Sequence, residues 1–371
     1  MIPPLVSRLL DLACAIQQIP APTFEERARA EFVREQFRAA GLADVEMDDL
    51  GNVYGRRPGR SAPSSPAPDT RPLLVTAHTD TVFPLDTPLG LTRDPDRIGG
   101  PGIGDNALGV AGLLGLVWAL DGETLPGDLY LAANVGEEGL GDLRGMRQVV
   151  DRLGEKVRAT IVLEGMALGH IYHAGIGVRR YRFTTRAEGG HSYLHFGQPS
   201  AIHTLVRFAA RITDLVVPSS PKTTFNIGTI TGGTSINTIA RQAALDLDLR
   251  SEDPATLAAL AARAEQLAAA FQGQGVQMET RVIGDRPSGA IPSAHPLVQL
   301  ARQAVEEAGL TPTLEASSTD ANIPLSRGLP CICVGLARGG HAHRPDEYIE
   351  TRDVEKGLGV LAKIVRGAFG T

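Results

Sequence analysis

The chain has 371 residues, enough for two domains that each bury a core of their own. A hydrophobic content of 43% and a formal net charge of −6 describe a globular protein, and with no basic run to neutralise phosphates they argue against a nucleic-acid partner. No apolar run reaches ~18 residues, so no membrane-spanning helix and no membrane partner are expected.

The start, Met1-Ile-Pro-Pro, lacks the basic and long apolar regions of a signal peptide. Cys14, Cys331 and Cys333 are too few for a disulfide framework and read as thiols in a reducing cytoplasm. Val6 to Ile16 carries apolar residues at helical spacing, and Ile19-Pro-Ala-Pro22 ends that helix. Thr23-Phe-Glu-Glu26 has the pattern of a capping box and predicts a second amphipathic helix running to about Ala40, where Gly41 stops it. Asn52 to Gly55 predicts a short strand that pairs directly with Leu73 to Ala77. The intervening Arg60 to Asp69, rich in Pro, Ser and Ala, reads as a surface loop.

The chemistry concentrates between Leu73 and Glu164. Leu73 to Ala77 is an apolar run that stops at His78-Thr-Asp80. Gly102-Ile-Gly-Asp105-Asn106 opens an apolar helix from Ala107 to Leu120. Leu129 to Val135 stops at Gly136-Glu137-Glu138-Gly139, and Thr160 to Leu163 stops at Glu164. In α/β sheets, ligands bind in the crevice outside the carboxyl ends of the strands. Carboxylates and an imidazole converging there need a cation, because like charges at short range cannot all stay ionised without one.

After His173-Ala-Gly-Ile-Gly177 the texture changes. The pattern predicts a strand (178–185), a helix (199–215), two strands (224–230 and 242–250), a helix (254–271) and a strand (277–283). That order, βαββαβ, is the split-βαβ sandwich. Pro287 to Pro292 returns the chain to an α/β texture, with a helix at 296–308, a strand at 331–335 and a helix at 354–369. The expectation is therefore a discontinuous domain, 1–174 and 286–371, with a second domain, 175–285, inserted in it.

Each motif also has a plain structural reading. A strand-end His is commonly a hydrogen-bonded structural residue, Gly-Asp-Asn is ordinary turn chemistry, and Gly339-Gly-His341-Ala-His343-Arg-Pro-Asp-Glu347 could be a solvated loop. Asp80, two residues past His78, can accept the imidazole N–H. The adjacent pair Glu137-Glu138 at the buried end of an apolar strand is the hardest to explain without a metal or a held proton.

Taken together, His78, Asp105, Glu137, Glu138, Glu164 and His343 match in type, order and context a known family. The sequence resembles metallopeptidase family 20, which includes glutamate carboxypeptidases, aminoacylases, acetylornithine and succinyl-diaminopimelate deacylases, and peptidase T. The resemblance spans nearly the whole chain and extends to Gly190-His191-Ser192, Gly232-Gly-Thr-Ser-Ile-Asn237 and Asp248-Leu-Arg250. It implies a catalytic α/β/α domain with a mixed, mostly parallel sheet around a dinuclear metal site, plus an inserted βαββαβ (ferredoxin-like) lid and dimerisation domain. It implies two divalent ions, zinc first, with cobalt or manganese as alternatives. Asp105 would bridge them together with a water or hydroxide, with His78 and Glu164 completing one site and Glu138 and His343 the other. Carboxylate and imidazole donors without thiolate suit these metals.

The same resemblance implies that Asp80 orients His78 and that Glu137 is the general base. His191 would donate to the oxyanion from a partner subunit, and Asn237 and Arg250 would bind a substrate carboxylate. A surface salt bridge is the alternative for Arg250, and His341 could exchange roles with His343, although the Pro-Asp-Glu spacing favours His343. The implied activity is hydrolysis of a peptide or N-acyl amide bond of a small substrate. Exopeptidase, carboxypeptidase-like or peptidase T-like, is the first reading, N-acyl amino-acid deacylase the second, and a non-catalytic binding relative the third. Family carboxypeptidases and deacylases usually carry Glu at the position of Glu164, whereas the Gly-Gly-Thr-Ser-Ile-Asn and Gly-Gly-His-Ser stretches look like those of peptidase T-like members. A homodimer through the inserted domain is the expected assembly.

Overall fold

The computed structural model describes residues 3–59, 71–273 and 275–370. The Arg60–Asp69 segment, read above as a surface loop, lies outside them. The chain divides into two compact units, Met1–Gly175 with Gly289–Thr371, and Ile176–Ser288.

The first unit is built on a mixed sheet whose order is Ala43–Met47, Val53–Arg57, Leu129–Asn134, Leu73–His78, Ala159–Glu164, Cys331–Gly335, His170–Gly175 and Gly289–Ala290, with Thr313–Ser317 also pairing with His170–Gly175. The middle strands, from Leu129–Asn134 to Cys331–Gly335, are mutually parallel. They are apolar runs, buried almost throughout, as parallel strands covered on both faces must be. Helix Leu108–Ala119 is apolar on all sides and lies in the core, packed against helices Pro4–Gln17 and Val354–Ala368. Its Gly112 allows that packing, since a Cβ there would stand 2.2 Å from Leu336 Cδ1.

Two local expectations are corrected. Val53–Arg57 does not pair with Leu73–His78, because Leu129–Asn134 lies between them and pairs antiparallel with Val53–Arg57. In the observed place Arg56 meets Asp44 at 2.6 Å and Asp128 at 3.0 Å while staying part-exposed, whereas the strands beside Leu73–His78 are buried almost throughout and leave no room for a charge. Second, Thr23 does not cap the Arg27–Ala39 helix, whose first turn receives no side-chain cap. Its hydroxyl donates instead to Asp80 Oδ2 at 2.8 Å, and Glu26 Oε1 accepts from Phe24 N at 2.9 Å. The longer-range carboxylate took the hydroxyl, and it leaves Phe24 at φ +81° with its ring over Arg144.

The second unit has the predicted βαββαβ order, in a fully antiparallel sheet ordered Thr223–Gly232, Gln242–Ser251, Gly177–Ala187, Val276–Arg286. Gln242–Ser251 alternates strictly, with Ala243, Leu245, Leu247 and Leu249 buried and Asp246, Asp248 and Arg250 on the other face. Helices Ala201–Thr213 and Pro254–Ala269 cover the apolar face, where Phe183 meets Phe208 at 4.7 Å between ring centroids. Asp253 caps the second helix, its carboxylate accepting from Thr256 N at 2.7 Å.

Candidate metal centre

His78, Asn134, Glu164 and Gly335 end the parallel strands, and the ladders hold His78 opposite Asn134 and Glu164 opposite Gly335. The candidate ligands are thus set at the carboxyl edge of a rigid sheet. Asp105 reaches the same place from the loop before the core helix. Asn106 anchors that loop, its side-chain oxygen accepting from Gly165 N at 2.8 Å and its amide donating to Leu163 O at 2.9 Å.

The side chains form two triads that share Asp105: His78, Asp105 and Glu164, and Asp105, Glu138 and His343, each with its donor atoms within 4.8 Å of one another. His78 Nε2 stands 3.1 Å from Asp105 Oδ1 and 3.6 Å from Glu164 Oε2. His343 Nε2 stands 3.1 Å from Asp105 Oδ2 and 3.2 Å from Glu138 Oε1. Two ligands each ~2.1 Å from a tetrahedral ion are about 3.4 Å apart. The donors are all oxygen and imidazole nitrogen, so the residues fit a pair of divalent ions. His341 does not take the place of His343, because its Nδ1 lies 2.8 Å from Asp346 Oδ2.

Asp80 is fully buried and ties the site together from below. Its carboxylate accepts from Glu137 N and Glu138 N, both at 2.9 Å, and from Thr23 Oγ1. His78 Nδ1 is 3.5 Å from Asp80 Oδ1 and closer, 3.1 Å, to the Asp80 carbonyl oxygen. Asp80 therefore fixes the Glu137–Glu138 turn at least as firmly as the imidazole. Glu137 is buried on that turn, next to Glu138 of the second triad.

Other contributors are not evident from sequence motifs. Arg29 is buried, donates to Thr79 O at 2.8 Å and Ile19 O at 2.6 Å, and so clamps the His78–Asp80 turn. Its signal was there: it falls on the helix stripe of Ala30, Val33 and Phe37, where a charge is out of place. Buried Asp320 accepts from Asn134 Nδ2 at 2.7 Å, and burial, then the charge of Glu137, pushes its carboxyl up to about 8. Nothing local in the sequence marks that contact.

Burial pushes the Glu138 and Glu164 carboxyls up to about 7. Hydrogen bonds to Asp105 and Glu138 push the His343 imidazole up to about 10. For His78, burial acts downward, but Glu164, Asp105 and Asp80 overcome it and hold the imidazole well above its usual range. Burial also opposes ionisation of Asp105, yet the two imidazoles hold its carboxyl below the usual range. In the metal-free protein, Glu138, Glu164 and His343 all bind protons more tightly folded than unfolded. Their contribution to stability is therefore lost as pH rises, from ~4.3 to about 7 for the carboxyls and from ~6.5 to about 10 for His343. A divalent ion replaces those protons, so its stabilisation grows with pH. The melting temperature of chelated protein should fall between about pH 5.5 and 8.5, and saturating zinc should raise it more at the upper end. A chelated protein that gains stability over that interval would contradict the charge arrangement.

The second unit places His191 and Asn237 side by side. Gly190 and His191 pair with Ile239 and Thr238, and Ser192 N donates to Asn237 O at 3.0 Å. The His191 side chain is exposed, its Nδ1 accepting from Tyr193 N at 3.2 Å. Arg250 is elsewhere. Its partner in the ladder is Val178, whereas Arg186, next to the His191 turn, pairs with Gln242. Arg250 thus lies eight residues along the strand, ~26 Å at 3.3 Å per residue. Arg250 Nε also donates to Asp248 at 2.7 Å, and Asp248 accepts from Arg180 at 2.9 Å.

The model of Peptidase family M20/M25/M40 matches residues 74–367 of the chain. The chain is 26% identical over 381 residues to acetylornithine deacetylase of Klebsiella pneumoniae, with 93% of this chain and 97% of that one covered. Its fold matches the aminopeptidase PepT of Bacillus cereus over the whole of both chains, with a TM-score of 0.78 at 22% identity. It also matches a dinuclear metal-binding peptidase of the M20 family from Bacillus subtilis, with a TM-score of 0.72 at 15% identity over 99% of each chain.

Proposed function

Because this chain belongs to peptidase family M20/M25/M40 and is thus a metal-dependent amide-bond hydrolase, we propose that it cleaves a peptide or N-acyl amide bond of a small substrate at a dinuclear zinc centre. The observation that carries the reading is the pair of triads sharing Asp105, with Glu137 on the turn that Asp80 holds. His78 and Glu164 would hold one ion and Glu138 and His343 the other. Ions held there would supply Lewis acidity for a scissile carbonyl and would lower the pKa of a bound water. Glu137 takes the proton from the attacking water and passes it to the leaving amine as the C–N bond breaks, giving a carboxylate and an amine. Cobalt or manganese would serve the same donors.

The first reading is an exopeptidase, carboxypeptidase-like or peptidase T-like. Deacylation of an N-acyl amino acid is the second, favoured by the 26% identity to an acetylornithine deacetylase. His191 would donate to the oxyanion, and Arg250 would take a substrate carboxylate through its fork. The reading includes a homodimer through the second unit, where strand Thr223–Gly232 is at the sheet edge with Ile230 exposed and Val206 exposed on the neighbouring helix. Among the described residues no helix is long and apolar enough to cross a membrane, and the free cysteines fit a reducing cytoplasm.

The test is a panel of dipeptides, tripeptides and N-acyl amino acids, assayed with zinc, cobalt or manganese. Hydrolysis of some member in a metal-dependent way is expected. The Arg250→Ala variant should then lose kcat/KM on free-carboxylate substrates far more than on their amides. Equal losses on the two would leave Arg250 with its Asp248 ion pair alone.

A further inference from the structure

The two triads are held very differently. His78 and Glu164 end strands that pair with each other in the middle of the sheet. Glu138 sits on a turn, and His343 on a loop, with its side chain 54% exposed and its backbone at φ +65°. Strand ladders fix the first triad, and something else must fix the second.

We propose that Glu347 is the positioning residue that makes Asp105, Glu138 and His343 a binding site. This rests on the dinuclear reading above. Glu347 is fully buried, four residues past His343. Its Oε1 accepts from Gly104 N at 2.7 Å and from Asp105 N at 2.8 Å. Its own N–H donates to Arg344 O at 3.0 Å, and its carbonyl accepts from Gly100 N at 2.8 Å. One residue thus ends the His343 loop and grips the backbone of the shared Asp105, 242 residues away.

Asp105 consequently stands between two tethers. On its C-terminal side, Asn106 binds Gly165 N and Leu163 O, the two residues that flank Glu164 of the first triad. On its N-terminal side, the Gly104 and Asp105 N–H groups are held by Glu347, which ends the loop that carries His343. Without Glu347, two buried N–H groups lose their acceptor and the Asp105 loop is free to turn away from His343. The first triad keeps its strand-borne ligands and the Asn106 tether. The second loses its alignment.

The probe is Co²⁺, followed by calorimetry and by its visible absorption, with melting temperature in chelator as the control for folding. Wild type should take up two ions. Glu347→Ala should bind the first about as wild type does and the second ~10–100-fold more weakly, as loss of a residue orienting a ligand typically does. Two conservative variants separate position from charge. Glu347→Gln keeps an oxygen where both N–H groups point and should restore most of the second affinity. It falls somewhat short of wild type, because Oε2 has no hydrogen-bond partner for the new amide. Glu347→Asp keeps the charge but is a methylene too short, and should resemble Ala. Rescue by Asp rather than Gln, equal weakening of both ions, or no weakening in a folded Ala variant would each overturn the proposal. A wild type that binds only one ion overturns the dinuclear reading itself, and this inference with it.

Discussion

The Glu137→Gln variant is expected to lose turnover by ~10²–10⁴-fold while keeping its fold and its full metal content. Glu137 belongs to neither triad, so its loss should leave ligand geometry intact. Its main chain is held by Asp80 independently of its carboxylate, so the turn should not move. The amide is nearly isosteric but cannot accept a proton from water, and a base that later serves as acid is missed in both steps. The measurements are kcat on the best substrate of the panel, metal content by elemental analysis, and melting temperature. Near-normal kcat would remove Glu137 from the chemistry, and loss of an ion would make it a ligand. Glu138→Gln is the contrast, since Glu138 lies 3.2 Å from His343 Nε2 in the second triad and its change should lose an ion.

The second large effect is recovery of activity on mixing two inactive proteins. His191→Ala and Glu137→Gln should each be nearly inactive alone. If His191 completes the site of a partner subunit, a mixed dimer has one site with Glu137 and the partner's intact imidazole. The other site lacks both groups. Random exchange between equal amounts would then restore roughly a quarter of wild-type activity. The motive is that His191, paired with Thr238 on a short two-stranded ladder with Asn237 beside it, belongs to the second unit, whereas both candidate metal triads belong to the first. No recovery, with subunit exchange shown by a tagged partner, would assign His191 to its own chain's site or to none.

Local patterning made a large part of this protein readable from sequence. Apolar runs that stop at His78, Glu137-Glu138 and Glu164 mark buried parallel strands and the chemistry at their ends, because a strand buried on both faces is apolar until it reaches the edge. The strict alternation of Gln242–Ser251 and the Ala-rich helix Pro254–Ala269 reveal the inserted βαββαβ unit for the same kind of reason, since each period is written in neighbouring residues. What only the tertiary structure decided are contacts between segments far apart in sequence. The position of Leu129–Asn134 beside Leu73–His78, the diversion of Thr23 from a helix cap to Asp80, and the pairing of His191 with Thr238 depend on which segments are neighbours. Glu347 shows the physical reason most clearly. Nothing within reach of its own loop accounts for a buried carboxylate, and its role emerges only where folding brings the N–H groups of Gly104 and Asp105 to it.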